Sequence, residues 1–315
     1  MKIYMNTATI DRFIERELAN WPLAAQNYEA LKMVQTKYLS VDGFNVKVQF
    51  NPARRVSTGA KIDSNSIKAR PCFLCQANRP AEQKAMRWGP HYEFLVNPFP
   101  IFARHLTIPE LCHTPQTSKS RGPHMIEMAR DLEEYAIFYN GPLCGASAPD
   151  HMHFQACPKF ELPLVEAIEN RMPATTQSVE LQASLGFPFG FYVIDVNKKL
   201  DALMATDTAR ALYAVIDPSK NKEDYMTHEP KINIICFDSS NVTRFVIIPR
   251  REHRPSNYGE GPGQMLISPA SVDLGGVFIT PRKEDFDAIT ADDIRRIYSE
   301  CCYSEADIIN VIDRI

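Results

Sequence analysis

No stretch of this chain approaches the ~20 consecutive apolar residues that a bilayer-spanning helix needs. The opening Met1-Lys2-Ile3-Tyr4 also lacks the long apolar run that follows the basic residue of a secretory signal. These two absences exclude a helical membrane protein and lead us to expect a soluble, cytoplasmic one. A charge imbalance is missing as well: 35 basic side chains face 38 acidic ones, for a net charge of -3. That balance gives no footing for nucleic acid or an anionic membrane as partner. No glycine-rich loop of the P-loop or dinucleotide type occurs, which argues against nucleoside triphosphate hydrolysis of that kind. Short repeats and low-complexity segments are absent. The eight cysteines, at 72, 75, 112, 144, 157, 236, 301 and 302, form no disulfide framework. In a reducing compartment they are free thiols except where a metal claims them, and Cys301 and Cys302 sit in a helical pattern as packing residues.

What is present is an ordinary globular balance over 315 residues, a length that suggests two domains. Apolar spacing predicts a helix from Thr9 to Leu31, broken or kinked at Pro22. Strand-like runs Met33–Ser40 and Phe44–Phe50 flank Asp42-Gly43, a hairpin signal. Residues 51–70 are polar and irregular. Strands are expected at Tyr92–Val96 and Ile101–Ile108, and a helix from Met125 to Tyr139, stopped by Asn140-Gly141-Pro142. Thr175–Ser184 reads as a connection or an edge strand. A second unit follows, with a strand Phe189–Val196, a helix Leu200–Ile216, paired strands Ile232–Phe237 and Arg244–Ile248, and a strand Gly276–Thr280. Thr290-Ala291-Asp292-Asp293 has the form of a capping box opening a helix to about Cys302. Antiparallel strands mixed with helices in both halves predict an α+β fold.

The most informative stretch is His151-Met152-His153-Phe154-Gln155-Ala156. On an extended strand His151, His153 and Gln155 share one side, while Met152 and Phe154 turn into a core. That front combines a nucleophile-capable nitrogen, a second imidazole and an amide, a set suited to covalent transfer of a phosphorus group. The same spacing also fits an edge-strand surface or a metal pair. Cys72-Phe73-Leu74-Cys75 is a knuckle able to give zinc two thiolates. With no second such pair in the chain, the other ligands would be histidines: His105, His151, or His113 in place of His105. Reduced, buried thiols are the plainer alternative.

Taken together, Cys72-Phe73-Leu74-Cys75, Asn78, Asn97-Pro98-Phe99, His105 ahead of Thr-Ile-Pro-Glu-Leu, and the Asn140 to His153 spacing resemble galactose-1-phosphate uridylyltransferase. The histidine strand, Asn233-Ile-Ile, Arg244-Phe-Val-Ile-Ile-Pro, Pro269-Ala270 and Arg282-Lys-Glu-Asp-Phe look more like the GDP-hexose phosphorylases. With diadenosine tetraphosphate phosphorylase, these families form the transferase branch of the histidine-triad superfamily. The resemblance spans about 50 to 300. It implies two tandem histidine-triad-like modules, each an antiparallel sheet with packed helices: 1–184, catalytic and carrying the knuckle, and 185–315. It also implies His153 as the nucleophile that takes a nucleoside monophosphate, Gln155 as a phosphate-oxygen partner, and Cys72, Cys75, His105 and His151 as ligands of a structural zinc.

The other ring nitrogen of His153 needs a fixed acceptor, expected among the carbonyls of residues 145–150. Arg54, Arg55 and Ser57 are candidate phosphate donors, although a solvated basic loop is an equal reading. Asn140 and Ser147 are further phosphate candidates, and Asn97 a nucleotide contact by resemblance. Arg250, Arg251 and Lys283 are candidates for a distal phosphate. The expected activity is a two-step nucleotidyltransferase or phosphorylase on a nucleoside diphosphate sugar, leaning to GDP-hexose with phosphate, and no organic cofactor. Diadenosine polyphosphate phosphorolysis, hexose-1-phosphate uridylyl transfer, hydrolysis, and a zinc-stabilised nucleotide-binding module without turnover are the alternatives. The partners are then a nucleotide or nucleotide-sugar and phosphate or a sugar phosphate, with a homodimer left open.

Overall fold

The computed structural model describes residues 6–54, 67, 69–199, 203, 207–209 and 229–312. Twelve strands are described: β1 Gln35–Val41, β2 Phe44–Phe50, β3 Met86–Trp88, β4 Tyr92–Val96, β5 Leu106–Pro109, β6 Tyr135–Asn140, β7 His153–Pro158, β8 Val179–Ala183, β9 Tyr192–Asn197, β10 Ile232–Asp238, β11 Val242–Pro249 and β12 Val277–Thr280. Nine of them form one sheet in the order β3-β4-β5-β7-β6-β10-β11-β9-β8. Every neighbouring pair in it is antiparallel. A smaller sheet, β1-β2-β12, joins the amino-terminal hairpin to a strand from the far end of the chain through a parallel β2–β12 pair. The fold is α+β, as the mixed patterns predict.

Alternation along the central strands splits the core into two layers. Ala136, Phe138, Cys157, Ile235, Phe237 and Val246 pack on one face with the small sheet and the helices Pro163–Arg171 and Ala291–Cys301. Ile137, Tyr139, Phe154, Ala156, Ile234 and Phe245 pack on the other with the helices Thr7–Asn20 and Gly122–Asp131. A strand buried on both faces carries apolar residues at every position. The two halves of the chain meet where β6 pairs with β10, Asn140 opposite Asn233. They meet again at the rim, where β8 pairs with β9.

Local chemistry accounts for much of this. Asp42 (φ 50°) and Gly43 (φ 78°) join β1 to β2 in a two-residue turn with Val41 opposite Phe44. Such turns need positive φ at both positions, which Asp-Gly tolerates. The amino-terminal helical stretch is two helices, Thr7–Asn20 and Pro22–Ala30, with the proline in the first turn of the second, where its missing N–H costs nothing. Thr290 and Asp293 form a reciprocal cap, Thr290 N–H donating to Asp293 Oδ2 (3.0 Å) and Asp293 N–H to Thr290 Oγ1 (3.2 Å). Of the two readings of residues 175–184, the edge strand is the observed one, as β8 on the outer rim.

Two expectations are corrected. The helix expected over Met125–Tyr139 is the helix Gly122–Asp131 followed by strand β6. Tyr135-Ala136-Ile137-Phe138-Tyr139 is an unbroken buried run, and its helical spacing to the residues before it is fortuitous. The strand expected over Ile101–Ile108 begins only at Leu106, because residues 101–104 bend to fold their backbone over His105. The expected helix Leu200–Ile216 falls almost wholly outside the described residues. Among the described residues no helix is long and apolar enough to cross a membrane.

Candidate active site

β7 does what its alternation requires. Phe154 and Ala156 enter the core, and His153 and Gln155 both line a cavity of about 470 Å³ on the other side. His151 precedes the strand, and its ring turns away to the cysteine knuckle. The cavity also takes in Arg54, Asn97, Asn140 and Ser147, so it gathers every described candidate for catalysis or substrate binding named in the first half of the chain. Arg55 and Ser57 lie outside the described residues.

His153 is 4% exposed, and its Nδ1 lies 2.8 Å from the carbonyl oxygen of His151. A carbonyl only accepts, so the proton sits on Nδ1 and Nε2 keeps its lone pair. The acceptor is thus one residue beyond the expected 145–150 turn. Burial pushes the imidazole down to about 4, against the pull of the His151 carbonyl. The ring is therefore neutral at ordinary pH.

His105 is not a metal ligand. It is fully buried, with Nδ1 accepting from the Ile101 N–H (3.1 Å) and Nε2 lying 3.0 Å from Gln155 Oε1. Since a backbone N–H only donates, Nε2 must carry the proton and donate to the Gln155 oxygen. That fixes the amide: its NH₂ is left without a protein partner among the described residues, on a side chain that lines the cavity. Burial, together with the charge of Arg54, pushes His105 down to about 3, keeping it neutral. Asn140 follows the same logic. Its Oδ1 accepts from Asn233 Nδ2 (3.0 Å) and the Ser271 N–H (2.9 Å), leaving its NH₂ as the free end. Asn97 is more fully used, donating to Thr107 Oγ1 and accepting from the Phe99 N–H. Arg54 donates from one terminal nitrogen to the Phe99 carbonyl (2.6 Å), while its Nε is enclosed and has no partner among the described residues.

Gln116 went unnoticed in the sequence, where nothing distinguishes it from any polar loop residue. It is 3% exposed and wedges between β6 and β7, where their ladder ends at Phe138 and Gln155. Its NH₂ donates to the carbonyls of Asn140 (2.9 Å) and His153 (3.0 Å), and its Oε1 accepts from the His153 N–H (2.8 Å). It thereby replaces strand pairing just where the strands part to admit the cavity. Gln116→Leu strands all three backbone groups, and we expect it to cost roughly 3 kcal/mol of stability. Urea unfolding checks this; an unchanged midpoint and slope would show that the backbone finds other partners.

The second half of the chain also reaches the cavity, through His253, Arg254, Ser268, Ala270 and Asp273. Gly145 (φ +97°) is what lets the 141–150 loop lie against it, since a Cβ there would come 2.7 Å from Ala270 Cβ. The basic residues singled out in this half are elsewhere. Arg250 is buried and spends its guanidinium on the carbonyls of Cys301, Pro269, Glu252 and His253 and on Asn233 Oδ1. Arg251 pairs with Asp307, and Lys283 with Asp287, both on the surface.

Behind β7, Cys72, Cys75, His113 and His151 place their donor atoms within 4.8 Å of one another. His113 thus takes the place expected of His105, because the chain after β5 folds back, with Met152 N–H donating to the Thr114 carbonyl (2.7 Å). Cys72 Sγ lies 3.3 Å from His151 Nδ1, and Cys75 Sγ lies 3.2 Å from His113 Nδ1. Tetrahedral zinc with such ligands needs donor separations of about 3.3–3.8 Å. His151 Nε2 is 2.9 Å from the Glu110 carbonyl, so its proton is there and Nδ1 is free to ligate. The knuckle is braced by Asn78 donating to the Cys72 carbonyl (3.0 Å), and by Arg79, which donates to the Leu74 carbonyl (2.8 Å) and pairs with buried Glu93. The residues present fit a closed zinc site.

Comparison with known proteins places this geometry. A family described as a domain of unknown function (DUF4922) matches residues 13–158. No curated protein matches the chain in sequence. Among solved structures, the yeast Ap4A phosphorylase Apa2 superposes with a TM-score of 0.61 at 16% identity, covering 90% of this chain and 97% of its own. Its complex with Ap4A gives 0.58 at 16% identity, with coverage of 90% and 97%. Its complex with AMP gives 0.57 at 15% identity, with coverage of 92% and 97%. Over nearly the whole of both chains, then, this protein has the fold of the yeast Ap4A phosphorylase.

Proposed function

We propose that the protein is a nucleotidyltransferase of the phosphorylase type, acting on a nucleoside diphosphate sugar through a covalent nucleotidyl-histidine. One observation carries this reading. The neutral imidazole of His153, its tautomer fixed by the His151 carbonyl, stands in the wall of a cavity that is also lined by Arg54 and by two oriented amide NH₂ groups. Nε2 attacks the α-phosphorus, and the N–P bond forms as the P–O bond to the leaving phosphate breaks. The imidazolium so created is stabilised through Nδ1–H by the carbonyl it already contacts. Arg54, Gln155 and Asn140 take the charge spread over the phosphate oxygens. A phosphate oxygen of the acceptor then attacks the same phosphorus and returns the pair of electrons to Nε2.

Zinc in the Cys72, Cys75, His113 and His151 site would be structural. It would hold His151, whose carbonyl fixes the nucleophile. Eight free thiols suit the reducing cytoplasm as the place of action. A GDP-hexose with inorganic phosphate as acceptor is the preferred pair, from the histidine strand and the carboxy-terminal run. A dinucleoside polyphosphate is the second reading, favoured by the shared fold with a phosphorylase solved with Ap4A. Incubation with α-labelled GDP-, UDP- and ADP-sugars and diadenosine tetraphosphate separates them. We expect an acid-labile, base-stable adduct from GDP-hexose, released by phosphate. Labelling by Ap4A alone selects the second reading, and no adduct from any donor rejects turnover in favour of a binding module.

A further inference from the structure

The polar wall supplied by the second half of the chain has an organisation of its own. Arg254 Nε–H donates to Ser268 Oγ at 3.0 Å, and Ser268 Oγ lies 3.3 Å from His253 Nε2. The Arg254 guanidinium carbon stands 4.1 Å from the centre of the Tyr258 ring. These contacts fix the guanidinium plane and leave its two terminal nitrogens with no partner among the described residues. The serine serves both neighbours: it accepts from Arg254, and in the tautomer that leaves the His253 proton on Nδ1 its own O–H donates to Nε2. Burial, with the charges of Arg254 and Arg250 beside it, holds His253 down to about 4 and therefore neutral. The one carboxylate on this wall, Asp273, is occupied, its oxygens accepting from the N–H groups of Ala270 (2.9 Å) and Ile279 (3.3 Å). A stacked guanidinium whose open fork meets no carboxylate among the described residues matches the two-point geometry of a phosphate.

We propose that Arg254, Ser268 and His253 form the subsite for the phosphate group exchanged against the nucleotidyl group. Arg254 grips two oxygens of a phosphate dianion, and His253 donates to a third. The apolar surface that the first half contributes at Trp21, Leu23 and Phe73 is left for the nucleoside. The assignment rests on His153 being the nucleotidyl acceptor. The dianion can be inorganic phosphate or the phosphate of a hexose 1-phosphate.

Trp21 lines the cavity, so tryptophan emission reads binding without turnover. The full chain is titrated with inorganic phosphate and, separately, with glucose 1-phosphate. The wild type should bind at least one of them, and the tighter of the two identifies the source. Arg254→Gln should weaken that binding about tenfold or more, as loss of a charged hydrogen-bonding pair does. Ser268→Ala, which keeps the charge but frees the guanidinium, should weaken it about threefold. Lys283→Gln, at a surface pair remote from the cavity wall, should leave it unchanged. Binding equal to wild type in both Arg254→Gln and Ser268→Ala, or no binding of either ligand by the wild type, overturns the subsite. If phosphate binding falls as described but His153 never labels, Arg254 and Ser268 still bind phosphate, and the transfer reading fails together with the exchange role built on it. If His153 labels and phosphate releases the adduct as fast in Arg254→Gln as in wild type, the subsite alone fails.

Discussion

Alanine in place of His153 is expected to abolish the labelled adduct and to slow nucleotidyl transfer by about 10⁴-fold or more. The size follows from what the ring supplies. Among the described residues it is the one imidazole in the cavity with a fixed Nδ1–H and an Nε2 that no protein group engages. No other cavity residue can replace it: His253 is tied at Nε2 to Ser268, and the cysteines of the knuckle belong to another cluster. Packing should survive the change, because the neighbouring Phe154 and Ala156 hold β7 from the opposite face. The comparison to make is with Gln155→Ala. Losing an oriented donor should slow adduct formation by about 10²–10³-fold while leaving some adduct detectable at long times. Counting acid-labile label per chain against time separates the two. A His153→Ala protein that still takes label at the wild-type rate removes the covalent mechanism, whatever the donor.

Metal content is where the second large effect is expected. Purified protein should carry one zinc per chain, and Cys72→Ser should lose it together with roughly 10 °C of melting temperature. A lost metal leaves the Cys75 thiol and two imidazoles crowded together, with His151 and the substituted position 72 buried. Its influence should also reach the nucleophile. The carbonyl that holds His153 belongs to His151, so loosening His151 frees the imidazole to rotate or change tautomer. Adduct formation in Cys72→Ser should therefore fall even at temperatures where the chain remains folded. Elemental analysis and thermal melting read the first part, and initial labelling rates below the transition read the second. A protein free of metal as isolated, with the same melting temperature in both forms, would mean that the knuckle is merely a thiol pair. The Cys112→Ser change, at an exposed cysteine outside the cluster, is the control.

The residues that the cavity gathers were legible where their signal is local. Alternation of His153 and Gln155 with Phe154 and Ala156 needs only the pleat of a strand. The Asp42-Gly43 turn and the Thr290 cap are likewise written within four residues. What failed to show depends on distant parts of the chain. Nothing near His105 says that its ring will be enclosed by residues 101–104 and handed to Gln155, and His113 reaches the cysteines only because its loop folds back on Met152. Strand β6 was hidden by coincidence, since a strand covered on both faces loses its alternation and leaves only an apolar run. The role of Gln116 follows from a parting of two strands, and that of Arg254 from a stack on Tyr258; neither leaves a motif.

The parallel pairing of β2 with β12 sets an order of events for the newly made chain. Phe50, at the end of β2, pairs with Thr280, so the amino-terminal hairpin waits for more than two hundred further residues before its second flank is covered. Until then the ribosome displays a hairpin with its β2 edge as open as its β1 edge, and β6 without its neighbour β10. Chaperone dependence during synthesis, rather than slow chemistry afterwards, is the natural cost of closing a molecule with its last strand.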